Sequence, residues 1–208
     1  MSPDASVRLE RHQLAEAGDV LARAFHADPI WTWVFPDSAE RARTLPWFME
    51  VGTRYCFLFG ETYTTSGRVA GAADWLTPGN TNFPPKRLIE AGYAPMKEKF
   101  GPESYGRFMG MLAMEQPLHD EAVPGPHYYL MTLGVDPPCQ GQGVGGALIQ
   151  PVLARADGEG LPCYLETERE INVTFYRRHG FEVVTEFDAP GGGPHIWTMM
   201  REPGGKRP

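Results

Sequence analysis

The stretch VDPPCQGQGVGGALIQPVL, residues 135–153, decides how this chain folds. A strand-like segment, HYYLMTLGV at 127–135, runs into a proline turn, then into glycines at 141, 143, 145 and 146, then into an apolar helix. A helix N-terminus leaves backbone N–H groups unpaired and carries partial positive charge. Glycines let the chain turn sharply and approach a phosphate without a Cβ in the way. The pattern asks for an anion, and two would suit it: a dinucleotide or the pyrophosphate of coenzyme A.

GQGVGG, 141–146, satisfies the dinucleotide pattern G-x-G-x-x-G, and Glu166 stands about 20 residues further on, where a ribose-binding acid belongs. Three features count against it. DPPCQ, 136–140, separates strand from glycines, whereas the dinucleotide fingerprint follows its strand almost at once. Only about 60 residues remain, too few for the other half of such a fold. Those residues also read as a short helix and a hairpin, not as two more crossovers.

At 208 residues the chain can bury one substantial core, so the expectation is a single domain over 1–202 with a flexible tail at 203–208. Its net charge of −7 argues against a nucleic-acid partner, which needs a basic surface, and leaves room for a cationic substrate. The start, MSPDASVRLERH, has no apolar run, so neither signal peptide nor membrane span is expected, and a cytoplasmic location follows as an expectation. Cys56, Cys139 and Cys163 are odd in number and widely spaced; they read as reduced thiols, with no disulfide frame and no metal site. Upstream of the glycines, SVRLERH alternates as a short strand and 14–25 as an amphipathic helix. A second helix is expected over 38–59 with Ser38 as its cap, and a hairpin over 61–78 turning at Ser66 and Gly67. Helical stretches between 86 and 118 divide at Gly101 and Pro102. Aromatic residues in HADPIWTWVFPD and the Tyr63–Trp75 hairpin could line an apolar pocket; for Trp31 and Trp33, core packing is an equal reading.

A strand, a proline-bearing turn and QGQGVG, with Gln140, Gly141, Gln142, Gly143, Val144 and Gly145 in the pattern Q/R-x-x-G-x-G/A, resemble the acetyl-CoA-binding motif of the GNAT superfamily of N-acetyltransferases. YLETEREINVTFYRRHGFE, 164–182, resembles the same superfamily's second motif, and two strands close the chain as they do there. Within the superfamily, LETE, FYRRHGF and the ending GP-x-x-W-x-M-x-R are most similar to the branch that acetylates the aminonucleoside puromycin. Residues 1–127, the acceptor side, match more loosely than 128–202. The resemblance implies an α/β fold: a mixed, mostly antiparallel sheet flanked by helices, with a V-shaped splay between its two middle strands. It implies acetyl-CoA as cosubstrate, no metal, a small-molecule primary amine as acceptor and a monomer or homodimer. A protein N-terminus or lysine is the competing acceptor. A non-catalytic acyl-CoA sensor is the alternative from another class, and antibiotic self-protection a role the branch suggests.

On that resemblance the amides of Gly141, Gln142, Gly143, Val144, Gly145 and Gly146, after Gln140, take the pyrophosphate. Leu133, Gly134 and Val135 form the strand edge that clamps the peptide-like pantetheine arm. Gly134 inside an apolar strand signals a bulge or a close backbone approach. Tyr176 falls at the superfamily's general-acid position; Phe175 beside it means that one of the two must pack the core. Asn172 contacts coenzyme or caps the helix. Glu166 is the candidate base, with Glu168 on the same face by strand alternation and His26, Asp28 and Glu115 further off. Strand-end carboxylates are commonly just solvated, and a small amine can also react from its neutral fraction with no protein base.

Overall fold

A computed structural model describes residues 6–204 and places seven strands in one sheet, in the order β1-β2-β3-β4-β5-β7-β6. The strands are β1 (Ser6–Arg8), β2 (Glu61–Thr65), β3 (Gly71–Leu76), β4 (Tyr128–Val135), β5 (Cys163–Thr167), β6 (Glu182–Asp188) and β7 (His195–Arg201). All neighbours run antiparallel except β4 and β5, so this is not the doubly wound parallel sheet of a dinucleotide fold. Of the expected tail at 203–208, residues from 205 on lie outside the described part, as do residues 1–5.

The parallel pair is the feature that matters. β4 and β5 meet only at Tyr128 with Cys163 and Tyr129 with Tyr164, and beyond that they part. Against β3, the register jumps between Asp74, opposite Thr132, and Trp75, opposite Leu130, leaving Met131 as the extra residue of a bulge. One extra residue reverses which side each later residue faces. Gly134 thereby turns toward the helix α1 (Leu14–Phe25), and a Cβ there would lie 2.6 Å from Leu21 Cδ2 and 3.0 Å from Phe25 Cε2. Of the two roles expected for Gly134, the close approach is found and the bulge sits three residues earlier.

Helices cover both faces. On one lie α1, α2 (Pro29–Val34), α3 (Ser38–Phe59), α4 (Pro85–Ala91) and α5 (Met96–Ala122); on the other lie α6 (Val144–Glu159) and α7 (Glu170–Arg177). α3 is capped by Asp37, whose carboxylate accepts from Glu40 N at 2.7 Å, and not by Ser38, which is already helical. Gly18 lets α1 cross α3 closely, since a Cβ would fall 2.7 Å from Glu50 Cβ. α5 breaks where the sequence indicates, at Gly101, whose φ of 71° only glycine adopts without strain, but it then runs on to Ala122. Trp31 joins the core of the first face with Phe35, Phe48 and Phe108. Tyr63 and Trp75 pack in the other core, against α6, so the hairpin does not supply the pocket wall expected of it. Cys56 and Cys163 are buried and Cys139 half-buried, all free thiols. Among the described residues, no helix is long and apolar enough to cross a membrane.

One buried carboxylate makes stability depend on pH. Asp74 on β3 is 1% exposed and accepts hydrogen bonds from Thr53 Oγ1 at 2.9 Å and Thr62 Oγ1 at 2.8 Å. Burial raises its pKa to about 7, against the pull of those two hydroxyls. A carboxyl whose folded pKa lies above its unfolded value of ~3.9 binds protons better when folded, so stability falls as pH rises between the two values. Thermal melts from about pH 5 to about pH 8 should show a falling midpoint, and Asp74→Asn should remove part of that fall, the rest belonging to other carboxyls that burial raises. An unchanged slope would assign it to other carboxyls.

Candidate active site

At the open end of the β4–β5 pair stands the glycine turn. Gly141 and Gly143 have φ of 73° and 84°, with nothing within 4 Å of where a Cβ would sit, so each is glycine for its backbone and for the clear space beside it. The first bond of the α6 ladder here is from Ala147 N to Gly143 O, so the amides of 144–146 form the open first turn. Gly145 and Gly146 serve a different contact. A Cβ on Gly146 would lie 3.1 Å from His179 Cε1, and one on Gly145 3.5 Å from Phe175 Cζ; these two glycines let α7 pack against α6. The side chains of Gln140 and Gln142 are also engaged within the turn, donating to Val135 O and Pro138 O, each at 3.0 Å. What they offer an anion is main chain. The turn is anchored by Asp136, whose buried carboxylate accepts from Arg23 at 2.9 and 3.0 Å and from Arg68 at 3.0 Å.

Between the splayed strands, α3 and α5 lies a cavity of about 510 Å³. Trp31, Phe48, Tyr93, Tyr105 and Phe108 make an aromatic wall, and Leu133 contributes from the strand edge. Glu115, His119, Glu166, Glu168, Asn172 and Tyr176 supply the polar side, and no lysine or arginine among the described residues lines it. Glu166 and Glu168 share a side as alternation requires, yet they are not solvated strand-end carboxylates: the Glu166 side chain is only 10% exposed. Burial raises Glu166 to about 7, with the Tyr129 hydroxyl holding it down; the Tyr164 hydroxyl lies near without a well-formed hydrogen bond. Burial, then the Glu166 charge, raises Glu115 to about 8. Glu168 is pushed well above the usual range by burial and then by Asp28, Glu115 and Glu166. Asp28 caps α2 through Ile30 N at 3.0 Å and is raised to about 6 by burial, against that N–H and Arg169. His26 closes α1 and does not line the cavity.

α7 delivers the remaining pair. Tyr176 is buried beside Phe181 and reaches the cavity, while Phe175 turns to Gly145 and His179. Burial, then the Glu168 charge, raises the Tyr176 phenol, so it stays protonated and able to donate. Asn172 is not a cap: Arg169 holds that position, and Asn172 Nδ2 donates to Thr167 Oγ1 at 3.0 Å. Beside Glu166 are two histidines that the sequence did not single out, His119 near the end of α5, which also lines the cavity, and His127 just before β4, 2.8 Å apart through their Nε2 atoms. Their only trace in the sequence is their place on either side of the proline-bearing link EAVPGP.

Known proteins share this fold. The Acetyltransferase (GNAT) family matches residues 22–181, and the chain belongs to that family. It is an acetyl-CoA-dependent N-acetyltransferase. An uncharacterized N-acetyltransferase of Schizosaccharomyces pombe is 27% identical over 189 residues, 85% of this chain and 74% of that protein. The histone acetyltransferase HPA2 and related acetyltransferase from Corynebacterium glutamicum shares the fold with a TM-score of 0.68 at 22% identity, covering 97% of both chains. An agmatine N-acetyltransferase mutant in its apo form superposes at 0.62 with 15% identity, over 97% of this chain and all of that one (100%).

Removing the turn's anchor should loosen the turn without touching the cavity. Asp136→Ala deletes three charge-assisted hydrogen bonds, but from arginines that are 51% and 71% exposed and can solvate themselves, so the cost should be roughly 1–2 kcal/mol. KM for acetyl-CoA should rise and kcat should hold. A fall in kcat at unchanged KM would place the anchor's effect on the chemistry instead.

Proposed function

We propose that this enzyme moves the acetyl group of acetyl-CoA to a primary amine on a small molecule by direct attack. One observation carries this: a cavity at the strand splay combines several half-buried carboxyls and a protonated phenol, with no lysine or arginine among the described residues that line it. An amine arrives as an ammonium ion and must lose a proton before it can attack, and the departing thiolate must be met by a donor. Glu166, poised near neutrality, is assigned the first task and Tyr176 the second. No cysteine lines the cavity, so an acyl-enzyme intermediate on sulfur has no nucleophile there.

The coenzyme's place follows from the backbone. The open amides of 141–146 suit its pyrophosphate. The side of β4 released from β5 beyond Tyr129 suits the pantetheine amides, which would add to it as another strand does. Leu133 and Gly134 offer that edge, whereas the Val135 carbonyl is already taken by Gln140. Asn172, tied to Thr167 at the end of β5, lines the same passage.

For the acceptor, an aromatic wall facing a carboxylate cluster suits an amine with an apolar or aromatic body. The motifs LETE, FYRRHGF and GP-x-x-W-x-M-x-R point to an aminonucleoside such as puromycin, and with it to antibiotic resistance, acting in the cytoplasm. A structural neighbour named for agmatine also acts on an amine. A cavity of about 510 Å³ suits a small acceptor better than a protein surface.

Acetyl-CoA, but not NAD, should raise the melting temperature. Adding amines from a panel of puromycin, agmatine, tryptamine and a free-amino peptide should release thiol with at least one small member. Binding without thiol release from any amine would make the chain a sensor, and release with the peptide alone would make it a protein acetyltransferase. Tyr176→Phe should lower kcat by roughly 10²–10⁴ while acetyl-CoA affinity holds; an unchanged kcat would remove Tyr176 from the mechanism. A base must be ionised to act, so kcat/KM should climb with pH through about 7 and not near 4.5, and Glu166→Gln should abolish that limb.

A further inference from the structure

Glu166 cannot keep the proton it receives, because it must be ionised again for the next turnover. The neighbouring carboxyls offer poor relief, since Glu115 and Glu168 hold their own protons tightly. The histidine in the cavity wall, His119, leads elsewhere. His127 Nδ1 lies 2.8 Å from Gly125 O, and a carbonyl only accepts, so Nδ1 carries the hydrogen. The neutral ring then has a bare Nε2, and His119 Nε2, 2.8 Å away, must be the donor to it. That leaves His119 Nδ1 as a lone pair, facing Glu166 Oε1 at 3.9 Å. Two acceptors keep such a gap; a proton on Glu166 turns them into donor and acceptor. The His119 ring is fixed in this pose by stacking on Tyr164, centroids 4.1 Å apart, and by the edge of Tyr129.

We propose that His119 and His127 are the proton outlet of the general base, carrying the acceptor's proton from Glu166 out to the turn at 124–126. The inference rests on Glu166 being the base. The ammonium N–H breaks as Glu166 O–H forms; that O–H breaks as His119 Nδ1–H forms. His119 Nε2–H breaks as His127 Nε2–H forms, and His127 becomes an imidazolium still bonded to Gly125 O. His127 Nδ1–H then breaks to water at residues 124–126, which are exposed, and the two rings regain their resting tautomers by exchange with water before the next passage. Both histidines are buried, at 6% and 5%, and burial lowers both, so they stand empty between turnovers and the proton only passes through. The charged and titratable groups around the path are Glu115 and Glu168 beside Glu166, the Tyr129 and Tyr164 phenols, and Asp120, which favours the charged form of both rings. Both histidines act through Glu166 and are positioning residues.

Nitrogen-15 spectra of the full chain test the resting arrangement without any acceptor: His127 should carry its hydrogen on Nδ1 and His119 on Nε2, and the opposite pair of tautomers overturns the outlet. With the panel amine that turns over fastest, His127→Ala should lower kcat about tenfold, with KM for acetyl-CoA within about twofold, and millimolar imidazole should restore most of the loss. His119→Phe keeps the stacking and lacks both nitrogens; it should lose as much and should not be rescued. His127→Gln serves if the alanine variant is unstable, and should show the same loss. In a Glu166→Gln background His127→Ala should add nothing. If Glu166→Gln leaves turnover unchanged, the base assignment falls and the outlet with it. If Glu166→Gln is slow while the histidine variants keep full kcat, the outlet alone is refuted.

Discussion

Everything that makes this chain more than a covered sheet depends on two strands that stop pairing. β4 and β5 share only two residue pairs, and past them the backbone of each lacks its neighbour. Buried main-chain N–H and C=O groups left open cost free energy unless something completes them. The bulge at Met131 and the seating of Gly134 on α1 hold β4 in that parted course, with its far end fixed by Asp136 to α1 and the hairpin. The slot is therefore a property of the whole first face. On the proposed reading, a peptide-like arm laid into it would supply the missing strand, and its anionic end would meet the amides before α6.

The same splay creates the electrostatic problem that the cavity turns to use. A strand that continued in register would have been covered by its neighbour; instead the end of β5 delivers Glu166 and Glu168 into a half-open cavity with an aromatic wall. Carboxylates there have no arginine or lysine to pair with, and burying an unpaired charge is costly enough that the groups keep protons instead. Glu166 ends near neutrality because Tyr129 offsets part of that cost. Proteins seldom carry such a cluster where only packing is needed, and perturbed carboxyls in a cavity mark chemistry more often than architecture.

How much of this was written in the sequence depends on how far apart the interacting residues stand. The glycine turn and the α7 tyrosine are local: Gly141 and Gly143 follow from backbone needs that neighbours in sequence reveal. The same locality does not show that Gly145 and Gly146 also answer, in their lack of a side chain, to Phe175 and His179, some thirty residues away along the chain. Gly134, the visible oddity, reads as a bulge or a close approach and proves to be the second, while no single residue betrays that Met131 is the one out of register. Trp75 and Tyr63 read as pocket wall and turned out to face α6, since which side of a hairpin is covered is settled by partners the hairpin does not contain. Burial of Glu166 was the largest surprise, as it depends on α5, a helix that meets β5 only in three dimensions.

The carboxyl cluster and the acceptor also act on each other. An ammonium ion entering a cavity of low dielectric favours the ionised form of every carboxyl near it, so its arrival draws protons off groups that had been neutral. Loss of its own proton reverses the effect: once the amine is neutral, nothing in the cavity balances two ionised carboxylates, and the pocket takes a proton back. The amine's proton thus has a ready acceptor at the step where the nucleophile is made. The neutral amine has less reason to stay fixed on the carboxylate, and its lone pair is freed toward the thioester. A fixed lysine or arginine in the wall would hold the carboxylates ionised throughout and cancel this exchange. Among the described residues no such side chain lines the cavity, so on the proposed reading binding and deprotonation become one linked event.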